Sequence, residues 1–229
     1  MDVALHTVPM CSRNIPMVAI PSRGLSQKHE GFRELLENNY QKRNLVHLTS
    51  GSVVPLLKNS VWLVLRGMVK LGAVSVHGDE LLLGLAGPNE PFGEPFSSVE
   101  AYEAVTLTDC DLICLTMAEI EQSPQLAIAM MEAVGTRYRQ AEYMLSLLGL
   151  RRVEERVRGF LELLAQDYGQ SCNEGLRLNL RLTHQDMASA LSTTRVTVTR
   201  VIGLLRDEGW LKIDPQRHLV ISHLPRRSH

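Results

Sequence analysis

No stretch of this 229-residue sequence reaches the roughly 18 consecutive apolar residues a transmembrane helix needs. The N-terminus carries Asp2 and lacks a basic segment followed by a hydrophobic one, so a secretory leader is not expected. Cysteine is sparse and dispersed: Cys11, Cys110, Cys114 and Cys172 form no Cys-x-x-Cys cluster, which argues against a zinc or iron–sulfur centre. Cys110 and Cys114 would share a strand face, too far apart to hold one metal without a bend. The histidines are scattered, and His77, just before Gly78-Asp79, reads as a hairpin residue. No nucleophile–base set and no glycine-rich phosphate loop is visible. These absences leave a reduced, cytoplasmic, non-enzymatic protein without a metal as the expectation.

Bulk charge is missing as well, since 24 Lys/Arg against 25 Asp/Glu give a net charge of −1. The distribution is uneven. Residues 150–229 hold 13 basic and 9 acidic groups, and the preceding residues hold 11 basic and 16 acidic ones. The C-terminal part therefore carries the positive excess that a phosphate-facing surface requires, supplied by placement rather than by quantity.

What is present is organised. Residues 1–27 mix Pro9, Ser12, Pro16, Pro21, Ser22 and Gly24 without periodicity and are expected to form a mobile arm, or to follow a start placed too early. Residues 28–122 form the second unit. Short strand-like runs at 45–48, 61–65, 68–71, 81–85 and 112–115 are separated by turn signals at Ser50-Gly51, Arg66-Gly67, His77-Gly78-Asp79 and Gly87-Pro88-Asn89, which predicts a small antiparallel barrel or roll. A long helix is predicted over 123–148. In it Ala127, Met131, Val134, Tyr138, Ala141, Leu145 and Leu148 recur at alternating steps of four and three, an a/d seam that fits a two-stranded coiled coil. The same stripe could instead pack on the chain's own roll. Gly149 then reads as a hinge before a helix from Arg151 to about Gln166, within a last unit spanning 149–229.

Residues 182–202 are the most informative. Thr183 can cap a short helix, with Asp186 completing a capping-box pattern three residues later. Met187, Ala190 and Leu191 supply that helix's apolar side, and Ser192-Thr193 make a turn. Thr194 then caps a second helix whose inner side is Val198, Val201, Ile202 and Leu205. Arg195, Val196, Thr197, Thr199 and Arg200 fall at or near the exposed face. Arginine, a small apolar group and hydroxyls at a helix N-terminus suit the major groove of DNA. Two β-rich runs, 209–213 and 218–222, flank the turn Asp214-Pro-Gln-Arg217 and predict a wing. A helix-turn-helix followed by a wing points to double-stranded DNA, although such a unit can also serve as a protein-interaction module.

Residues 30–222, and within them Val61-Trp-Leu-Val-Leu-Arg-Gly-Met-Val-Lys-Leu71, Pro91-Phe-Gly-Glu94 and the helix-turn-helix, resemble the cyclic-AMP receptor protein and FNR family of bacterial transcription regulators. The recognition-helix run Ser192-Thr-Thr-Arg-Val-Thr-Val-Thr-Arg200 is most similar to the family's cyanobacterial branch, the global nitrogen regulators. The resemblance implies an α+β chain with an N-terminal antiparallel roll of the cyclic-nucleotide-binding type, a dimerisation helix and a C-terminal winged helix-turn-helix. It also implies a homodimer on a palindrome of the GTA…TAC kind, and contact with RNA polymerase where the protein activates.

On this reading Arg195 pairs with a guanine through O6 and N7, worth about 1–3 kcal/mol of discrimination. The cyclic-AMP receptor has a glutamate at the next position. Here Val196 can accept no bond from cytosine and favours a thymine methyl. Thr194, Thr197 and Thr199 are expected as caps or phosphate contacts, Arg200 as either a base or a phosphate contact, and Arg217 as a backbone contact from the wing. Cyclic-nucleotide binders of the family cradle the ligand with a Gly-Glu pair and an Arg-Ser or Arg-Thr pair. Gly93-Glu94 supplies the first, but the second falls at Tyr102-Glu103, where a glutamate would repel a phosphate. Cyclic AMP is therefore not expected. For the nitrogen regulators' effector, 2-oxoglutarate, Arg137 and Glu142 match the dimer-helix positions while the roll arginine is missing near Glu100. An ion pair between dimer helices, or a solvated face, is the favoured account of Arg137 and Glu142, and effector-independent action stays open.

Overall fold

A computed structural model describes residues 45–222 with the exception of residue 77. The expected arm, Cys11 and His77 lie outside these residues.

Seven strands come first: β1 (Val46–Leu48), β2 (Ser60–Arg66), β3 (Val69–Val74), β4 (Glu80–Ala86), β5 (Pro91–Phe92), β6 (Tyr102–Thr106) and β7 (Cys110–Thr116). They form two antiparallel sheets, ordered β1-β7-β2-β5 and β4-β3-β6. The roll predicted from strand spacing is thus present, with β5 and β6 added. β6 escaped the sequence reading, which weighed Tyr102 and Glu103 only as a departure from the ligand cradle; they pair in register with Ala73 and Gly72 of β3. Between the sheets lie Trp62, Val64, Val69, Leu71, Phe92, Ala104 and Leu112. β2 is apolar on both faces for a reason: Trp62 and Val64 enter that inter-sheet core, while Val61 and Leu63 turn outward against the long helix.

Five helices follow among the described residues: α1 (Met117–Gln122), α2 (Pro124–Leu148), α3 (Val153–Tyr168), α4 (His184–Ala190) and α5 (Arg195–Asp207). α2 begins where Ser123 and Pro124 predict, with the Ser123 hydroxyl accepting from Leu126 N at 3.3 Å. The helix has two apolar sides. Leu126, Met130 and Ala133 are buried against Val61, Leu63 and Leu115 of the roll, and Leu147 joins the C-terminal core. Met131, Tyr138 and Leu145, from the predicted a/d seam, face outward instead. The stripe is therefore divided: these three do not pack on the chain's own roll, whereas Ala127 and Val134 do.

α3 starts and ends about two residues later than the sequence suggests. Arg152 is extended rather than helical, and the Arg156 guanidinium binds Leu150 O and Leu191 O, holding the connection open. At the other end, hydrogen bonds from Gln140 keep Asp167 and Tyr168 in place. Gly149 has φ −72°, in the right-handed region, so it needs no glycine-specific conformation here.

Strands β8 (Gly169–Cys172), β9 (Gly175–Leu178), β10 (Leu211–Ile213) and β11 (Leu219–Ile221) complete the chain as a sheet ordered β10-β11-β9-β8. The wing hairpin β10–β11 was legible. The β8–β9 hairpin was not, and Cys172 closes its first strand. Packing does not respect the sequence's unit boundaries: Met68, Leu82 and Leu85 of the roll share one core with Phe160, Leu161, Met187, Leu191, Val201 and Leu205.

Candidate nucleic-acid interface

The helix-turn-helix is fixed by local chemistry. Thr183 caps α4: its hydroxyl accepts from Asp186 N at 3.0 Å, while Asp186 Oδ2 accepts from Thr183 N at 2.9 Å. This is the reciprocal capping box that the sequence spells. Ser192 adopts φ 50° and Thr193 N returns to Ala188 O at 3.0 Å, making the turn tight. Thr194 opens α5, accepting from Thr197 N at 3.2 Å. Met187, Leu191, Val198, Val201, Ile202 and Leu205 then lock the two helices on one core.

Burial decides which α5 side chains are available. Val198, Val201, Ile202 and Leu205 are inside, whereas Arg195, Thr199 and Arg200 are exposed and Val196 is 78% exposed. The expected readers thus share one free face near the helix N-terminus. The hydroxyls are less free. Thr194 and Thr197 face each other at 2.9 Å, and Thr199 Oγ1 donates to Arg195 O at 2.9 Å while lying 2.8 Å from His184 Nδ1. His184, on α4 and beside this face, was not singled out from the sequence. A lone histidine at a helix start gives no signal until the second helix is laid against it.

The wing is held from below. Asp214 Oδ1 accepts from His218 N at 2.7 Å, and its other oxygen lies 3.0 Å from Arg177 Nε. Desolvation pushes the Asp214 carboxyl up, but the His218 bonds and Arg177 outweigh it and hold it below its usual value. Arg217 sits exposed at the turn with φ 66°. Arg181 donates to Gln216 O at 3.2 Å and adds a second cation beside the wing. At the far end of α5, the Arg158 guanidinium lies 4.7 Å above the Trp210 ring and bonds Glu208.

The helix-turn-helix also touches the roll. Lys70 Nζ on β3 binds Asp186 Oδ1 at 2.9 Å. Burial pushes the Asp186 carboxyl up, yet the bonds from Thr183 and Lys70 hold it below its ordinary value.

Of the expected effector residues, Gly93 and Arg137 come together beside Tyr102, while Glu94 and Glu142 turn to solvent. Gly93 is buried with φ 151°, and a Cβ there would meet Ser60 O at 2.9 Å. Glu94 is exposed and opens a single 3-10 turn. Burial pushes the Tyr102 hydroxyl up, while Arg137 and the Gly93 backbone pull it down, so Gly93, Tyr102 and Arg137 are neighbours. Glu103 points outward. Arg137 donates to Leu85 O, and Glu142 bonds Tyr138 along the outer side of α2. Among the described residues no cluster of His, Cys, Asp or Glu is arranged to hold a metal, and no helix is long and apolar enough to cross a membrane.

Comparison with known proteins gives this geometry its setting. Residues 155–226 match the Crp-like helix-turn-helix domain. The chain is 33% identical over 174 residues to the global nitrogen regulator of Nostoc sp., covering 72% of this chain and 77% of that protein. It is 32% identical over 168 residues to the cyclic AMP receptor protein of Thermus thermophilus, covering 69% and 74%. Among solved structures, a CRP/FNR-family transcriptional regulator from Thermus thermophilus superposes with a TM-score of 0.64 at 26% identity, covering 79% of this chain and 94% of that one. The chain belongs to the cyclic-AMP receptor protein and FNR family of DNA-binding transcription regulators.

Proposed function

We propose that this protein works as a homodimer on a palindromic DNA site of the GTA…TAC kind. The observation that carries the reading is the division of α5. Its buried side is spent on the helix-turn-helix core, and Arg195, Val196 and Arg200 are left together on the open side. Arg195 reads guanine bidentately, and Val196 contacts a thymine methyl at the next step. Thr194 positions the helix start, Thr197 and Thr199 line the phosphate side, and Arg200 and Arg217 add backbone charge. The outward seam of Met131, Tyr138 and Leu145 pairs two copies, so that two recognition helices meet half-sites about one helical turn apart. Where the site lies upstream of a promoter, RNA polymerase is the further partner.

Control by a small anion at the roll belongs to the same proposal, with Gly93, Glu94, Arg137 and Glu142 as its residues. Arg137 is the cation that would attract 2-oxoglutarate. Cyclic AMP is disfavoured because Glu103 replaces the hydroxyl of the usual phosphate cradle.

The test is fluorescence anisotropy of a GTA-N8-TAC duplex against a scrambled one, over a range of salt, for wild type and Arg195→Ala, with and without 2-oxoglutarate and cyclic AMP. Selective binding that Arg195→Ala abolishes is the expected result. Equal weak binding to both duplexes under every condition would overturn the assigned site, and no binding at low salt would favour a protein-interaction role for the helix-turn-helix.

A further inference from the structure

Where the roll meets the DNA-reading unit, one side chain is seated with unusual care. Tyr168, at the end of α3, lays its ring over Gly87 in the turn between β4 and β5. A Cβ at Gly87 would stand 2.5 Å from the ring's Cε1, so only a bare backbone admits the ring. The Tyr168 hydroxyl donates to Glu90 Oε2 at 2.8 Å, and the same oxygen accepts from Gly87 N at 2.8 Å. From α2, Gln140 Nε2 reaches Tyr168 Oη at 2.8 Å and Asp167 Oδ2 at 3.0 Å. Glu90 and Gln140 are buried. The chain Glu90–Tyr168–Gln140–Asp167 therefore ties the roll, the long helix and the first helix of the DNA reader at one point.

The charges at this point do not balance. Two carboxylates, Glu90 from the roll and Asp167 from α3, face a single guanidinium, Arg137 from α2, whose field reaches Glu90 and, on β6, Tyr102. Among the described residues Asp167 has one donor, Gln140, and no cation. We propose that this chain is a proton-coupled joint: taking up a proton at the Asp167–Glu90 pair tightens the seating of the DNA reader on the roll, and losing it loosens that seating. The inference rests on the reading that the winged unit binds DNA, and it adds a regulatory input to it.

The direction follows from the environment. Burial pushes Asp167 from 3.8 up to about 6, Gln140 opposes this, and Glu90 adds to it. Burial likewise raises Glu90 against Arg137, Gly87 and Tyr168. A carboxyl raised in the seated form binds its proton more tightly there than when released. Seating is therefore favoured in acid and weakens as pH rises through about 6. Arg195, Val196 and Arg200 are exposed in the seated form, so seating holds the reader ready and loosening spends affinity on re-ordering it.

The experiment uses the full chain as wild type, Asp167→Asn and Tyr168→Phe at pH 5.5 and pH 8. Hydrogen exchange over residues 149–153 and 167–170 is compared between variants at each pH, and anisotropy is read on the GTA-N8-TAC duplex. Asn keeps the bond to Gln140 without the charge. Asp167→Asn is expected to exchange more slowly than wild type at pH 8 and to bind DNA about tenfold more tightly. That is within the ceiling of about 100-fold set by the interval from 3.8 to about 6. At pH 5.5 the difference should narrow without closing, because the two converge only as pH falls to the released carboxyl's 3.8. Tyr168→Phe keeps the ring on Gly87 but cuts the chain, and should exchange faster at both values. Wild type and Asp167→Asn exchanging alike at both pH values would overturn the joint whatever the DNA result. Altered exchange without any selective DNA binding would support the joint and refute the DNA reading instead.

Discussion

Leu145→Glu is the sharpest test of how two copies of this chain meet. Leu145 is 70% exposed on α2, in line with Met131 at 76% and Tyr138 at 63%. Burying a whole leucine side chain is worth about 1.5–3 kcal/mol. Seven-tenths of that, counted on both sides of a two-fold axis, comes to about 2–4 kcal/mol of lost association. The dimer Kd should rise by about 30- to 1000-fold, with repulsion between the two introduced glutamates adding to it. The folded protomer should be untouched, because the inner face of α2 rests on Leu126, Met130 and Ala133. Sedimentation equilibrium gives the Kd, and circular dichroism checks the helix. Glu132→Gln, exposed but off the seam, is the control. A dimer Kd unchanged by Leu145→Glu, or a wild type that stays monomeric at every concentration, would refute the assignment of this stripe to a second copy.

Other expectations concern the reader and its supports. Val196→Glu should move the preference at its base step from A·T to G·C, by about 1–3 kcal/mol, as measured with duplexes differing at that pair. Asp186→Ala should cost about 1–2 kcal/mol in thermal unfolding through loss of half of the capping box, more because Lys70 then keeps only its longer contact to Glu80, at 3.7 Å. Because the Asp186 carboxyl is held below 3.8, its contribution is present above that value and lost as pH falls through its lowered one, so variant and wild type should converge in acid. Gly67→Ala should lower Tm markedly, since the residue has φ 94° and its Cβ would lie 2.4 Å from Asp109 O.

Local chemistry made the DNA-reading unit legible. Thr183 with Asp186, Thr194, and Ser123 with Pro124 each act within four residues, so their caps could be read from the string. The apolar phases of α5 and of α2's outer side were visible in the same way. What stayed hidden is set by partners distant in sequence. β6 owes its existence to β3 and β9 to β11. Lys70 and Asp186 are 116 residues apart, and Tyr168 and Glu90 are 78 apart. Neither pair carries a pattern, only a meeting place. The two-residue displacement of α3 has the same origin, because Arg156 and Gln140 reach across to other elements to fix its ends. Gly149 drew notice as a glycine, yet it is the bare backbone at Gly87 that Tyr168 requires.

The threonines of α5 have one more implication. Thr194 and Thr197 bind each other, and Thr199 is turned back to Arg195 O and towards His184. With the hydroxyls committed to holding the helix, its vocabulary for bases shrinks to a few side chains that support nothing else. Val196 touches solvent rather than core, so exchanging it costs the fold almost nothing. A lineage carrying this helix can therefore migrate between operator sequences by single substitutions, without a stabilising change having to come first.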